Sequence, residues 1–382
     1  MKIINLCEDK KCSGCGACRM KCPKVCISMK ENLQGELHPV VDRDCCINCG
    51  LCTRVCHINN EVPLFKPFKC YAAVRKNKSD IARCASGGVG TLLMQEALNI
   101  GFSVFATRYD ENLMPKVCEF HNIEEIDAFK GSKYVQSQVG DSYCKIKTIL
   151  NNGKSVLFIG TPCQIAGLKV FLGKDYENLI CCDLFCHGVV PTLYFKEELS
   201  FLQLERSSDI SFRGWEIKED YWFIVWKDGK KVFAQPGNIN YYVKSFYDNI
   251  ALRESCYNCR YSCDRRCGDL SIGDFLGLEK GVMSNYKNNC VTAILINTRK
   301  GSDLFNIISN LLEVTERPVE EAINGGRSLQ HAAIESPLRT KFKKNYVQDG
   351  YSKAIRKTLR YEMVRAKYKR YIEYIKRRIC KR

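Results

Sequence analysis

Cys12-x2-Cys15-x2-Cys18-x3-Cys22-Pro23 and, further on, Cys46-x2-Cys49-x2-Cys52-x3-Cys56 are the stretches that decide how this 382-residue chain is read. In each run three thiols fall within seven residues, and a fourth follows after a gap of three. With that spacing a loop wraps one 4Fe-4S cubane in three thiolates, while the fourth lies beyond it and ligates a second cubane. Cys12, Cys15, Cys18 and Cys56 are therefore assigned to one cluster, and Cys22, Cys46, Cys49 and Cys52 to the other. Gly14, Gly16 and Gly50 fall between the ligands, where backbone amides approach the inorganic sulfides.

Zinc knuckles pair two cysteines across a longer spacer, unlike three ligands packed together twice. A disulfide framework is disfavoured because no secretory signal precedes the runs and the 25 cysteines are an odd number. His57 stands where a proline follows the first run, and Cys45 adjoins Cys46 as a rival ligand; only Cys46 keeps the spacing. The spacing is that of a bacterial dicluster ferredoxin, so residues 1–60 are expected to form such a module.

A chain this long, 45% hydrophobic, holds far more than a ferredoxin. No apolar run nears the roughly 20 residues needed to span a bilayer, and thiol-rich metal chemistry suits a reducing compartment, so a cytoplasmic location is expected. The formal charge of +17 is concentrated: residues 339–382 carry 17 Lys and Arg against Asp349, Glu362 and Glu373, or +14. Each oxidised cubane with its four thiolates carries about −2, which brings the rest of a loaded chain near neutral. The basicity belongs to a tail, and no nucleic-acid partner is expected.

After a linker at Val62 to Pro67 the texture changes. Cys70 to Arg75 reads as a strand, Val89 to Ile100 as a helix and Phe102 to Thr107 as a strand; the alternation recurs at Ser155 to Ile159, Gln164 to Leu172 and Leu179 to Leu184. It predicts a mostly parallel sheet covered by helices. Short aromatic strands with a turn at Asp228-Gly229 predict an antiparallel addition from Ile210 to Ala234. The expected fold class is thus α+β and α/β: the small ferredoxin-like module, then a larger α/β region (68–150 and 151–340) with antiparallel additions, and a basic helical tail at 341–382.

Ser86-Gly87-Gly88 precedes a predicted helix, where free amides hold a phosphate or simply start the helix. Gly160-Thr161-Pro162-Cys163-Gln164 runs from a strand into a helix, with Thr161 as N-cap and Pro162 at the first turn. There the dipole favours a thiolate, so Cys163 reads as a ligand or nucleophile as readily as a packed thiol. Gly131-Ser132-Lys133-Tyr134-Val135-Gln136-Ser137 offers a cation, a ring and donors, or a solvated turn. Cys256-x2-Cys259-x3-Cys263-x3-Cys267 departs from the ferredoxin spacing, so a third cubane there needs ligands from elsewhere. Cys163 and Cys186 are the natural candidates.

Taken in order, these motifs, with Cys186-His187-Gly188 and Ile272-Gly273-Asp274-Phe275, resemble the coenzyme F-420 hydrogenase/dehydrogenase beta-subunit family. The resemblance runs to about residue 340. It implies FAD beside a further 4Fe-4S cluster. Ser86, Gly87, Gly88, Lys133 and Thr161 are then flavin contacts, and Cys163, Cys186, Cys256 and Cys259 the first-ranked third ligand set; Cys263 and Cys267 are extra to the pattern. Cubanes carry one electron at a time and most organic reductions need two, so a flavin is the expected converter. The expected activity is an iron-sulfur flavin oxidoreductase, taking electrons from reduced ferredoxin or a similar donor to a small-molecule substrate. A non-catalytic subunit of a hydrogenase or dehydrogenase, or a redox module docked on a membrane-associated assembly, is the alternative.

In the tail, Tyr361, Val364, Tyr368, Ile372, Ile375 and Ile379 share one helical face, and Ile355, Leu359, Met363 and Ala366 another. Such a basic helix is solvated, or it docks on an acidic protein partner or an anionic membrane surface.

Overall fold

The structure, a computed structural model, describes residues 6–213, 221–286 and 290–379. Its cysteine-rich start comprises α1 (Ala17–Lys21), β1 (Ile27–Glu31), β2 (Leu37–Val41) and α2 (Leu51–Arg54). β1 and β2 pair antiparallel, with Ile27 opposite Val41. The remainder runs β3 (Lys69–Arg75), α3 (Val89–Asn99), β4 (Ser103–Tyr109), β5 (Pro115–Phe120), α4 (Ile126–Phe129), α5 (Ser142–Asn151), β6 (Val156–Gly160), α6 (Pro162–Leu172), β7 (Leu179–Leu184), α7 (Thr192–Phe201) and β8 (Asp209–Ser211). It continues β9 (Trp222–Lys227), β10 (Lys230–Pro236), α8 (Tyr241–Tyr247), β11 (Leu270–Asp274), β12 (Thr292–Ile296), α9 (Arg299–Ser309), β13 (Leu312–Arg317), α10 (Val319–Gly325), α11 (Arg339–Thr358) and α12 (Arg360–Ile379).

Eight strands form one sheet in the order β13-β3-β12-β11-β7-β6-β4-β5. Only the central run β11-β7-β6-β4 is parallel; the other pairings are antiparallel. The sheet is therefore mixed rather than mostly parallel. The reason is where β3 goes: it does not lie beside β4 but pairs with β12 and β13, which arrive from the far end of the chain. Both faces are covered, as alternation along each strand requires. Leu157 and Ile159 pack with α3 and α9 through Leu92, Leu93, Leu304 and Phe305. Val156 and Phe158 face the other way, onto Tyr143 and Ile146 of α5 and Ile165 and Leu168 of α6.

The expected aromatic strands form a separate antiparallel sheet, β10-β9-β8, with the part between residues 214 and 220 outside the described residues. Phe212, Phe223, Phe195 of α7 and Tyr242 and Phe246 of α8 build its core. That core also takes Phe342, Tyr346, Tyr351, Ala354, Ile355, Leu359 and Met363. The first half of the expected tail is thus built into the body; its lysines and arginines hid an apolar face. Arg339 itself is buried, donating to the carbonyls of Ile250 and Leu252 and pairing with Glu254. Only beyond about Arg360 is the chain largely solvent-facing, and there Tyr361, Val364, Tyr368 and Ile375 are exposed. The side chain of Ile379 lies outside the described residues. Among the described residues no helix is long and apolar enough to cross a membrane.

Candidate functional site

In a sheet with parallel central strands, ligands gather beyond the strands' carboxyl ends. β6 ends at Gly160 and runs directly into Thr161, Pro162 and Cys163, while β7 ends two residues before Cys186. Thr161 and Gln164 close a capping box at the start of α6, with Pro162 in its first turn, as the sequence leads one to expect. The Thr161 N–H donates to Gln164 Oε1 at 3.0 Å, and Gln164 Nε2 donates to Ser137 Oγ at 2.8 Å, so the cap also fixes the 131–137 loop. Cys163, Cys186, Cys256 and Cys259 all line one cavity of about 260 Å³ beyond these strand ends. Burial pushes the Cys163 thiol up to about 11 and the Cys186 thiol up to about 12. Desolvation outweighs the dipole of α6, so the fold by itself does not make Cys163 a nucleophile; a bound cation would have to displace the proton.

The other two cysteines of the 256–267 run go elsewhere. Cys267 is buried and donates its Sγ–H to the Pro162 carbonyl at 3.2 Å. Cys263 donates to the carbonyls of Arg260 and Arg265. The turn carrying them is set by Asp183, fully buried on β7, which accepts from Arg266 Nε and Nη2 and from the N–H groups of Cys267 and Gly268.

The N-terminal cysteines ring two further cavities. Cys12, Cys15, Cys18 and Cys56 line one; Cys22, Cys46, Cys49 and Cys52 line the other. Cys45 is exposed and lines neither. Among the described residues no three His, Cys, Asp or Glu side chains close on a single metal ion.

Cys15 lines both its own cavity and the one holding Cys163. Its closeness to α6 depends on Gly167, where an added Cβ would sit 3.0 Å from Cys15 Sγ and 2.9 Å from the Tyr143 hydroxyl. Gly14 is equally constrained: its φ is +68°, and a Cβ there would meet Gln136 Nε2 at 2.6 Å. Gly167→Ala is expected to cost about 1–3 kcal/mol through overpacking, measured by urea unfolding. Unchanged stability would mean that the N-terminal module is not seated on α6.

Two side chains that the spacing rules do not flag tie these cavities together. His57 is buried between Ser13 Oγ at 2.8 Å and the Tyr261 hydroxyl at 2.7 Å, and burial pulls it down to about 4, so it is neutral. Arg253 is 1% exposed. It donates to the Cys12 carbonyl from Nε at 3.0 Å and Nη2 at 2.8 Å, to the Leu37 carbonyl at 2.8 Å and to Gln136 Oε1 at 3.0 Å. The only advance signal was the replacement of proline by His57; nothing marked Arg253.

The expected flavin contacts fall in two places. Thr161 lines the Cys163 cavity. Ser86, Gly87 and Gly88 lead into α3 beneath β3 and β12, where the Gly87 N–H donates to Thr292 Oγ1. Lys133 lies near that loop, with Arg83 and Cys84 as its titratable neighbours. It is pulled down to about 7 by burial and by the Arg83 guanidinium, and donates to the carbonyls of Phe129, Lys130 and Gly131 at the end of α4. Around it, buried Arg83 Nε, Ser86 Oγ and the Tyr109 hydroxyl have no hydrogen-bond partner. Buried orphan donors next to a helix start are what a polyanionic ligand would satisfy.

Residues 153–322 match the family described as the C terminus of the coenzyme F420 hydrogenase/dehydrogenase beta subunit. The chain is 23% identical over 340 residues to the F subunit of the F(420)H(2) dehydrogenase of Methanosarcina mazei, covering 83% of this chain and 88% of the relative. An uncharacterized protein of Methanocaldococcus jannaschii is 23% identical over 312 residues, covering 72% and 82%. A chain of the F420-reducing NiFe hydrogenase complex from Methanosarcina barkeri superposes with a TM-score of 0.47 at 17% identity, covering 74% of this chain and 94% of that one.

Proposed function

We propose that this protein is an iron-sulfur flavoprotein oxidoreductase, working as an electron-transfer component between a one-electron donor such as reduced ferredoxin and a two-electron small-molecule substrate. The observation that carries the reading is the ring of four cysteines from three separate segments, in a cavity that Cys15 of the N-terminal set also lines. Cys12, Cys15, Cys18 and Cys56 would hold an inner cubane, Cys22, Cys46, Cys49 and Cys52 an outer one, and Cys163, Cys186, Cys256 and Cys259 a third. Arg83, Ser86, Gly88 and Lys133 would hold the phosphates of FAD, with Gly87, its N–H held by Thr292, shaping the turn and Thr161 at the third cysteine set. The cubanes supply one-electron steps and the flavin the conversion to two. The chain's own residues provide burial, fixed spacing and positive charge against the anions.

Anaerobically purified protein is expected to hold about 12 iron atoms, with near-stoichiometric FAD whose absorbance bleaches on addition of reduced ferredoxin. Protein that binds no flavin after reconstitution would leave an iron-sulfur relay component. FAD binding also carries a pH signature. A phosphate opposite Lys133 favours its protonated form, while the free side chain titrates at about 7. Binding therefore takes up a proton above that pH, and affinity is expected to fall by up to about tenfold per pH unit, read by flavin fluorescence titration. A flat profile would remove Lys133 from the flavin site.

Homology to one component of a dehydrogenase favours a protein partner, and α12 offers it a surface. Tyr361, Val364, Tyr368, Tyr371 and Ile375 are exposed at alternating spacings of three and four, the seam of a coiled coil. Arg360, Arg365 and Lys367 flank the seam, which repels a second copy and suits an acidic amphipathic helix. Deleting residues 366–382 is expected to leave iron and flavin in place and weaken binding to a Glu-rich heptad peptide at least tenfold, with salt shrinking the difference. Loss of binding to anionic vesicles alone would reassign the surface to lipid.

A further inference from the structure

Beyond the eight cysteines of the two runs, one further thiol stands in each N-terminal cavity. Cys26, 8% exposed, lines the outer cavity with Cys22, Cys46, Cys49 and Cys52. Its Sγ lies 3.4 Å from that of Cys22, and Cys22 first and Cys46 after it push its thiol up. Its backbone is held there by the Asp42 N–H, which donates to the Cys26 carbonyl at 2.8 Å. Cys7 lines the inner cavity together with Cys12 and Cys56, and those two neighbours push its thiol up. Asn59 Nδ2 anchors this stretch through the Leu6 carbonyl at 2.6 Å. The two sites thus share a pattern: the fifth thiol shares a cavity with, and is raised by, the fourth cysteine of a run, Cys22 or Cys56, and the first cysteine of the other run, Cys46 or Cys12.

We propose that Cys26 and Cys7 are exchangeable fifth ligands, Cys26 able to replace Cys22 or Cys46 at the outer cluster and Cys7 to replace Cys12 or Cys56 at the inner one. The inference rests on the cubane reading of these cavities. In the exchange the iron bond to Cys22 Sγ breaks and one to Cys26 Sγ forms, while the proton of the Cys26 thiol passes to the released Cys22 thiolate. Charge and oxidation state are unchanged, and no co-reactant is needed. The geometry favours exchange with Cys22, whose Sγ is the one at 3.4 Å from that of Cys26. The outer site benefits most: Cys49 is exposed, so this cluster is the more open to loss of a ligand.

The test is iron content and the electron paramagnetic resonance of the reduced, anaerobically isolated full chain, in Cys22→Ala, Cys52→Ala, Cys26→Ala and Cys22→Ala/Cys26→Ala. Cys52→Ala is expected to lose about four irons, whereas Cys22→Ala keeps them with an altered outer-cluster signal. Cys26→Ala keeps them with the signal unaltered, and the double variant loses about four. Iron at the third cysteine set reports in each variant that the body is folded. Cys56→Ala with and without Cys7→Ala repeats the comparison at the inner site. Loss from Cys22→Ala equal to that from Cys52→Ala overturns the exchange, as does a double variant that retains its iron. Full iron in Cys52→Ala removes the cubane reading itself, and the exchange with it.

Discussion

Cys163→Ala and Cys259→Ala are each expected to lower the iron content by about four atoms per chain while sparing the signals of the N-terminal clusters. Cys267→Ala is expected to lower it by none. The contrast follows from placement. Cys163 and Cys259 face the same cavity from the start of α6 and from the loop before β11, so removing either leaves one corner of a cubane without its anionic ligand. Cys267 is committed to the Pro162 carbonyl and sits against Asp183. Its loss removes a weak thiol hydrogen bond and leaves a small gap in a buried site, which costs about 1–3 kcal/mol of stability and no metal. Iron assay, with thermal unfolding as the companion measurement, separates the two outcomes. Iron lost from Cys267→Ala but kept in Cys163→Ala would move the third cluster onto the local 256–267 run.

The two N-terminal runs are legible because their ligand spacing is written in consecutive residues, and the structure gathers each inferred set around its own cavity. The third set is not legible as spacing. Its members come from loops after β6 and β7 and before β11, and only the topology of the sheet puts them together. Cys263 and Cys267 look as eligible as Cys259 in sequence; what sets them apart is Asp183, a buried carboxylate more than 80 residues earlier, which fixes the turn that carries them. The mixed character of the sheet was hidden for the same reason. β3 reads like the first strand of a β-α-β unit, and nothing local shows that β12 and β13 will flank it. In the tail, charge masked burial. Phe342, Tyr346 and Ile355 are spaced among lysines and arginines, yet they complete the aromatic core.

The largest effect on stability is expected at Arg253. Its guanidinium is buried where residues of the N-terminal module meet the loops that carry Gln136 and Cys256, and it satisfies acceptors on both sides at once: the carbonyls of Cys12 and Leu37, and Gln136 Oε1. Arg253→Met fills most of the same volume but leaves those acceptors in the dark, at about 1–3 kcal/mol for each that water cannot reach. Summed over the three acceptors this is about 3–9 kcal/mol, the upper end applying where water reaches none of them. Because the lost contacts join residues 12 and 37 to residues 136 and 253, the module is expected to loosen first, seen as faster proteolysis within residues 1–60 before global unfolding. Arg253→Lys separates geometry from charge. An ammonium keeps the cation but lacks the planar fork that reaches three acceptors together, so it is expected to recover less than half of the loss. Full recovery by lysine would show that positive charge alone, and not the forked contact, holds the module against the third cysteine set.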